Sequence, residues 1–178
     1  KIDRQLLLAS GWLLESIDPR SIQLFGSGGE ELPQGNSVSR NQDLLENAIA
    51  VHGELDGKLD EEDIVLFYGQ GPELISASQN SPILNVKKHT YTDTSFYYLT
   101  YGQTIGKRIQ KAQSKDELGE ESIATYIDIY HHELDQTNLL ESGREWWGEY
   151  IASRPIGWQV RIEDVVSGSK GYFTNKLM

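Results

Sequence analysis

The sequence contains no cysteine, and this absence removes several kinds of chemistry at once. Without a thiol, these 178 residues can form no disulfide, no thiolate metal site and no cysteine nucleophile. We therefore assign no catalytic residue and expect that this chain is not itself an enzyme. The lack of cysteine does not determine the cellular compartment of the protein, because exported bacterial proteins also occur without cysteine.

Positive charge and long apolar runs are scarce as well. The chain has 16 Lys and Arg against 27 Asp and Glu, a formal charge of -11 at pH 7. Such an acidic chain repels the phosphates of DNA and RNA, so we expect no nucleic-acid partner. The longest dense apolar stretch, Ile64 to Tyr68, has the length of a strand and falls far short of the roughly 20 residues that a membrane helix requires. We expect no membrane insertion by this segment.

The residues that are present predict a mainly β fold, an antiparallel sandwich or barrel-like module. Short runs rich in β-branched and aromatic residues alternate with Gly, Pro and Asn turns. The predicted strands cover residues 21–25, 48–51, 64–68, 91–101, 106–110, 124–130, 146–151 and 160–166. One or two short helices are predicted near the N-terminus, the first between a capping Asp3 and a terminating Gly11, and another around 131–142.

The pattern changes after Arg154-Pro155, which suggests two parts of unequal size. We expect residues 1–152 to form an N-terminal β module and residues 153–178 to be the first strands of a following, truncated β domain. The chain starts at Lys1 without a signal-peptide pattern and closes on Leu177-Met178 without a polar tail. We therefore expect it to be a piece of a longer protein.

An acidic segment from His52 to Asp63 is a candidate calcium loop. Calcium takes six to eight oxygen ligands, and a loop that turns at its sixth residue with acids at alternate positions can supply them. With Gly57 in sixth place, the candidate ligands are Glu54, Asp56, Asp60 and Asp63. His52 stands where an acid belongs, and the flanks are strand-like. The alternative is a charged, solvated turn around Asp56-Gly57, so we expect either no cofactor or Ca²⁺.

Two aromatic pairs form a second candidate site, a binding surface made of Trp146, Trp147, Tyr97 and Tyr98. Neighbouring residues on a strand point to opposite faces, so one member of each pair should lie inward and the other outward. Outward rings could stack on a sugar or pack on a partner domain, whereas inward rings fill a core. A zinc site at His132 is not predicted, because Gln136 stands where the second His would be needed.

Four segments, in this order and spacing, resemble the N-terminal region of a known family. The segments are SIDPRSIQLFGSGG, DLLENAIAVHGELDGKLDEEDIVLFYGQGP, YTDTSFYYLTYGQTIGKRI and YHHELDQTNLLESGREWWGE. They are similar to the PorU-type sortases of the type IX secretion system of Bacteroidetes, which are gingipain-type cysteine peptidases. The resemblance implies an exported protein at the outer membrane or cell surface, or in the periplasm, that removes C-terminal sorting signals from secreted proteins.

In this family the His and Cys of the peptidase lie in a domain downstream of the region that this chain resembles. The role implied for the chain is therefore structural: it would pack on the downstream peptidase domain of the same polypeptide, or dock secreted cargo or secretion-system proteins. Two alternatives stay open at this point. One is a surface module that binds carbohydrate or mediates adhesion, and the other is a calcium-stabilised spacer.

Overall fold

The computed structural model describes residues 1–77, 83–113, 124–141, 143–152 and 155–176. The chain separates into two compact units. The first unit comprises residues 1–74 and 92–114, and the second comprises residues 75–91 and 115–178. This division follows compactness alone, and the predicted start of a new domain at residue 153 stays a prediction.

The elements are short throughout. In chain order they are β1 (Ile2–Asp3), α1 (Arg4–Ala9), two 3-10 helices (Leu14–Ser16 and Pro19–Ser21), β2 (Ile22–Phe25), β3 (Glu46–Asn47), β4 (Ile49–His52), a third 3-10 helix (Glu54–Asp56), β5 (Ile64–Phe67), β6 (Leu74–Ala77), β7 (Leu84–Lys87) and β8 (Tyr98–Tyr101).

Three small sheets contain these strands, with the orders β1-β5-β4, β3-β2-β8 and β6-β7. All strand pairs of the two three-stranded sheets are antiparallel. The prediction of a mainly β, antiparallel fold is confirmed, and within the described ranges the sheets are open rather than closed into a barrel.

One hydrophobic core lies in the first unit and takes side chains from both three-stranded sheets. Ile22 and Leu24 alternate with half-buried residues along β2, as expected of a strand with one face in the core. Helix α1 adds Leu7 and begins where the Asp3 carboxylate accepts the Leu6 amide, the predicted N-cap. The buried members of the core are Leu7, Leu14, Ile17, Ile22, Leu24, Ile49, Leu59 and Val65.

The predicted helix around 131–142 is not formed. Residues 131–141 contain a bridge at Thr137 and a turn at their end, and Ser142 lies outside the described residues. The Gln136 and Thr137 amides both donate to the Trp147 carbonyl, and the Trp147 amide donates to the Thr137 carbonyl. The segment thus uses its central backbone groups in an antiparallel bridge instead of an i to i-4 helical ladder.

Several predicted strands are shorter than expected or missing. The run at 91–101 narrows to β8, and 106–110 contributes only a bridge between Arg108 and Ile49. Residues 124–130 and 160–166 are irregular and largely exposed. Their β-branched and aromatic residues have a strand composition, but strand propensity depends on a half-buried surface, and these segments lack a core to lie on.

Candidate functional site

The predicted calcium loop is the connection of the β4–β5 hairpin, whose register pairs Val51 with Val65 and His52 with Ile64. Gly53, with φ of 92°, and Gly57, with φ of 76°, flank the 3-10 helix Glu54–Asp56. Both glycines adopt the left-handed conformation, which costs other residues free energy. Glycine at both positions therefore lets the chain turn into and out of this short helix without backbone strain.

Three of the four candidate carboxylates accept hydrogen bonds from the protein in this loop. Glu54 Oε2 pairs with Arg108 Nε at 2.8 Å, and Asp56 Oδ1 accepts the Lys58 amide at 3.0 Å. Asp63 is buried, and its Oδ2 accepts the Asp60 amide at 2.9 Å. Among the residues that the structure describes, no group of three or more His, Cys, Asp or Glu side chains is arranged to hold a metal ion.

Arg108 links this loop to the segment that leads into β2. Besides Glu54, its guanidinium donates to three main-chain carbonyls of that segment, Ile22 O at 3.1 Å, Pro19 O at 3.0 Å and Arg20 O at 2.8 Å, and to its neighbour Lys107 O at 3.4 Å. Sequence reasoning interpreted Lys107-Arg108 as part of a short strand. Nothing in the local pattern indicates a partner 54 residues away.

The pair Tyr97 and Tyr98 divides as the strand geometry predicts. Tyr97 packs against the core and lies 5.4 Å, between ring centroids, from Phe67. Its hydroxyl accepts the Gln70 amide at 2.7 Å and donates to the Gln70 carbonyl at 3.2 Å. Tyr98 is exposed. The Tyr97 hydroxyl is thus occupied by the backbone of the neighbouring loop, and Tyr98 alone of this pair offers its ring to solvent.

The pair Trp146 and Trp147 lies in the second unit, separate from the tyrosines. Trp146 is exposed, whereas Trp147 is half-buried and carries the Lys176 ammonium 4.9 Å from its ring centroid. The two predicted aromatic pairs therefore belong to different compact units. Their joint use as one binding surface stays a prediction.

A cluster of His132, Glu149 and Trp158 was not predicted as a site. His132 Nε2 lies 2.7 Å from Glu149 Oε1, and Trp158 Nε1 donates to the same oxygen at 3.3 Å. The His132 and Trp158 rings are 5.1 Å apart. The hydrogen bond with His132, assisted by the backbone and by Trp158, lowers the pKa of the Glu149 carboxyl below its ordinary value of 4.5. The cluster joins residues on both sides of the predicted boundary at 153.

The second unit exposes its aromatic side chains to an unusual degree. None of its described residues is buried, whereas every buried core side chain belongs to the first unit. Three aromatic residues are almost fully accessible: Tyr126 at 85%, Tyr150 at 88% and Phe173 at 87%. We call the exposed aromatic residues Tyr91, Tyr126, Tyr130, Trp146, Tyr150, Trp158, Tyr172 and Phe173 the aromatic surface of the second unit.

Comparisons with family models, with curated proteins and with solved structures gave no match to this chain. A search of the described residues for a helix with the length and apolar character needed to cross the bilayer also found none.

Proposed function

We propose that this chain is a non-catalytic β module of a longer, gingipain-like cysteine peptidase, and that its second unit packs on the peptidase domain of that protein. The observation that carries the proposal is the aromatic surface of the second unit. Large apolar side chains left uncovered in number indicate surface that another domain or protein covers, and eight aromatic residues of the described second unit are exposed. The four-segment resemblance to the type IX secretion sortases supports the choice of a peptidase domain as that neighbour.

A non-catalytic role is consistent with the absence of a cysteine nucleophile from the chain. A module without cysteine contributes position and surface rather than bond cleavage, and the parent protein would supply the His and Cys. The corresponding location is the outer membrane or cell surface, or the periplasm, and the parent would process the C-terminal sorting signals of secreted proteins.

The direct test is binding between the purified chain and the peptidase domain encoded downstream in the same gene. We expect a complex in solution, and we expect that Tyr126→Ser and Tyr150→Ser each weaken it at least tenfold. Tyr68→Ser is the matched control, because Tyr68 is 83% exposed but belongs to the first unit. All three changes replace exposed rings, so the folded state should survive them.

The proposal also predicts that the purified chain does not hydrolyse peptides. Turnover that persists after contaminating proteases are excluded would contradict it. So would a gene that encodes no peptidase domain beyond these residues, or a complex that the Tyr126 and Tyr150 changes leave intact.

The calcium-stabilised spacer is a separate hypothesis with its own measurement. The four acids in one loop support it, and the pairing of Glu54 with Arg108 opposes it, because a cation would have to displace the guanidinium. Titration of the metal-free chain with CaCl₂ decides whether the loop binds calcium. Heat of binding together with a raised melting temperature at millimolar Ca²⁺ would establish the site, and the absence of both would remove it.

The carbohydrate-binding alternative receives less support from the aromatic contacts. One face of Trp147 lies under Lys176, and the Tyr97 hydroxyl is used by Gln70. We expect no retention of the chain on a glycan array. Retention that Trp146→Ala abolishes would favour this alternative.

A further inference from the structure

The edges of the two three-stranded sheets differ in how well they are protected. A sheet edge presents unpaired N–H and C=O groups, and proteins protect such edges with very short strands, charged residues, proline or a covering segment. The edge strands β1 and β3 have two residues each. At β4, the Ile49 amide donates to the Lys107 carbonyl and the Ile109 amide donates to the Ile49 carbonyl, so residues 107–109 cover that edge.

In the part of the chain that the structure describes, strand β8 has no covering segment, charge or proline. It is four residues long, its sequence Tyr-Leu-Thr-Tyr contains no charge and no proline, and in the described chain β2 is its one neighbouring strand. Uncharged, uncovered edges are templates for another strand.

The register shows which backbone groups of β8 face the open side. In antiparallel pairs, hydrogen-bonded and non-hydrogen-bonded positions alternate. The Gly102 amide donates to the Ser21 carbonyl, so the pairs Thr100 with Gln23 and Tyr98 with Phe25 are the hydrogen-bonded ones. Leu99 and Tyr101 therefore direct their N–H and C=O groups away from β2.

The hydrogen bonds between β2 and β3 independently support this orientation of the β8 backbone groups. The Gly26 amide donates to the Leu45 carbonyl, which makes Leu24 and Asn47 a hydrogen-bonded pair. Leu24 thus uses its backbone groups toward β3 and not toward Leu99. Among the described residues, the one hydrogen bond to an outward group of β8 is a long one, 3.5 Å from the Thr100 hydroxyl to the Tyr101 carbonyl.

The side chains of β8 offer apolar contacts on both faces of the sheet. Tyr98 is 56% exposed on one face. Tyr101 is 46% exposed on the other, where its ring meets Trp12 at 4.8 Å in an edge-to-face contact. Cross-strand pairs of aromatic with β-branched residues stabilise antiparallel sheets, so an added strand would find a partner side chain on each face.

We propose that the open edge of β8 binds an extended, basic peptide segment of a partner protein, which adds as a strand next to β8. The first unit has 15 Asp and Glu against eight Lys and Arg, so its charge favours a basic segment. A second copy of the chain carries the same negative charge and is repelled. This edge lies in the first unit and is independent of the packing proposed for the second.

The probe for this proposal is a capped peptide of sequence Lys-Val-Thr-Val-Lys-Val-Thr-Val-Lys, titrated into the isotope-labelled chain. We expect the amide signals of Leu99 and Tyr101 to shift, and their hydrogen exchange to slow at least tenfold. Methylation of the peptide nitrogens at every Val and Thr removes the backbone donors, and we expect it to weaken binding at least tenfold. Replacing the three lysines by glutamates should weaken binding to a similar extent at low salt.

A matched pair of variants tests the same hydrogen bonds from the protein side. Tyr101→Pro removes the outward N–H and the aromatic ring, whereas Tyr101→Ala removes only the ring. We expect the proline variant to bind the peptide at least tenfold more weakly than the alanine variant, with circular dichroism confirming that both fold.

Three results would overturn the proposal. The first is equal binding of the methylated and unmethylated peptides, and the second is a set of shifted signals that excludes β8. The third is dimerisation of the chain through β8 without peptide, seen as a sedimentation change that Tyr101→Pro abolishes, because the occupant would then be a second copy.

Discussion

Arg108 reaches from the segment after β8 to Glu54 in the hairpin connection, with 2.8 Å between Nε and Oε2, and both side chains are about four-fifths buried. The same guanidinium donates hydrogen bonds to the carbonyls of Ile22, Pro19 and Arg20. The Arg108 guanidinium thus supplies hydrogen-bond donors both to Glu54 in the acidic loop and to the backbone that leads into β2. Without Arg108, the Glu54 carboxylate and these carbonyls would lose the hydrogen bonds that the guanidinium donates.

Replacing Arg108 by methionine should therefore destabilise the chain by about 2–4 kcal/mol, because a partly buried carboxylate and three carbonyls lose a charged partner. Chemical denaturation followed by circular dichroism measures this change. Arg20→Met is the control: Arg20 pairs with Asp18 at 2.7 Å, but both side chains are more than two-fifths exposed. We expect that loss to be clearly smaller, because solvent screens an exposed ion pair. Equal effects of the two substitutions would contradict the role given to Arg108.

Gly53 is required both for its positive φ and for its close approach to Asp63, and comparison with Gly11 separates the two effects. Its φ is 92°, and a Cβ atom at this position would lie 1.5 Å from Asp63 Oδ1. Gly11 has a similar φ of 83°, with nothing within 4 Å of such an atom. Gly11→Ala should cost about 1 kcal/mol for the backbone conformation alone.

Gly53→Ala should cost about 2 kcal/mol more than Gly11→Ala, because the buried carboxylate of Asp63 must also move. The free energies of unfolding of the two variants give the comparison directly. If the two alanine variants proved equally stable, the close approach of Gly53 and Asp63 would have no energetic weight.

Tyr97 and Tyr98 are adjacent, and the phenylalanine variants should distinguish a structural hydroxyl from an exposed one. Tyr97→Phe removes the group that bonds both the amide and the carbonyl of Gln70, so we expect a loss of about 1–2 kcal/mol. Tyr98→Phe should change stability by less than about 0.5 kcal/mol. Thermal unfolding of both variants under one condition is sufficient, and a larger loss for Tyr98→Phe would reverse the assignment.

The sequence was informative where pattern and core agree. Asp3 and Gly11 mark a helix with clear capping chemistry, and the alternation along β2 places Ile22 and Leu24 in the core as predicted. The β4–β5 hairpin was also predicted from its apolar strands and acidic connection. In each case a few neighbouring residues contain the whole signal.

Contacts between distant residues left no such signal. The pairs Arg108 with Glu54 and His132 with Glu149 are separated by 54 and 17 residues, and composition does not encode which charges meet. The predicted helix around 131–142 was wrong for a related reason, since the bridge between Thr137 and Trp147 used the backbone groups that a helix would need. Strand composition at 124–130 and 160–166 likewise could not decide the structure without a buried face.

Glu149 offers a test of the second unit that depends on pH. Its carboxylate accepts from His132 and Trp158, and these bonds lower its pKa in the folded chain below the ordinary value of 4.5. The stabilisation from this carboxylate is therefore fully present above pH 4.5 and is lost as the pH falls through the lowered pKa. A carbon-detected NMR titration of the Glu149 carboxyl should give this pKa, and the Trp158 indole N–H signal should titrate with it.

His132→Asn should raise the pKa of Glu149 toward 4.5, because the strongest hydrogen bond to the carboxylate is lost. Glu133→Gln is the appropriate control, because Glu133 pairs with the adjacent His131 at 3.3 Å. The substitution removes a neighbouring negative charge and leaves the His132–Glu149 bond in place. We expect the control to leave the pKa of Glu149 close to that of the unmodified chain. An unchanged Glu149 titration in His132→Asn would show that the imidazole does not hold this carboxylate, and Trp158 and the backbone would then be its remaining hydrogen-bond donors.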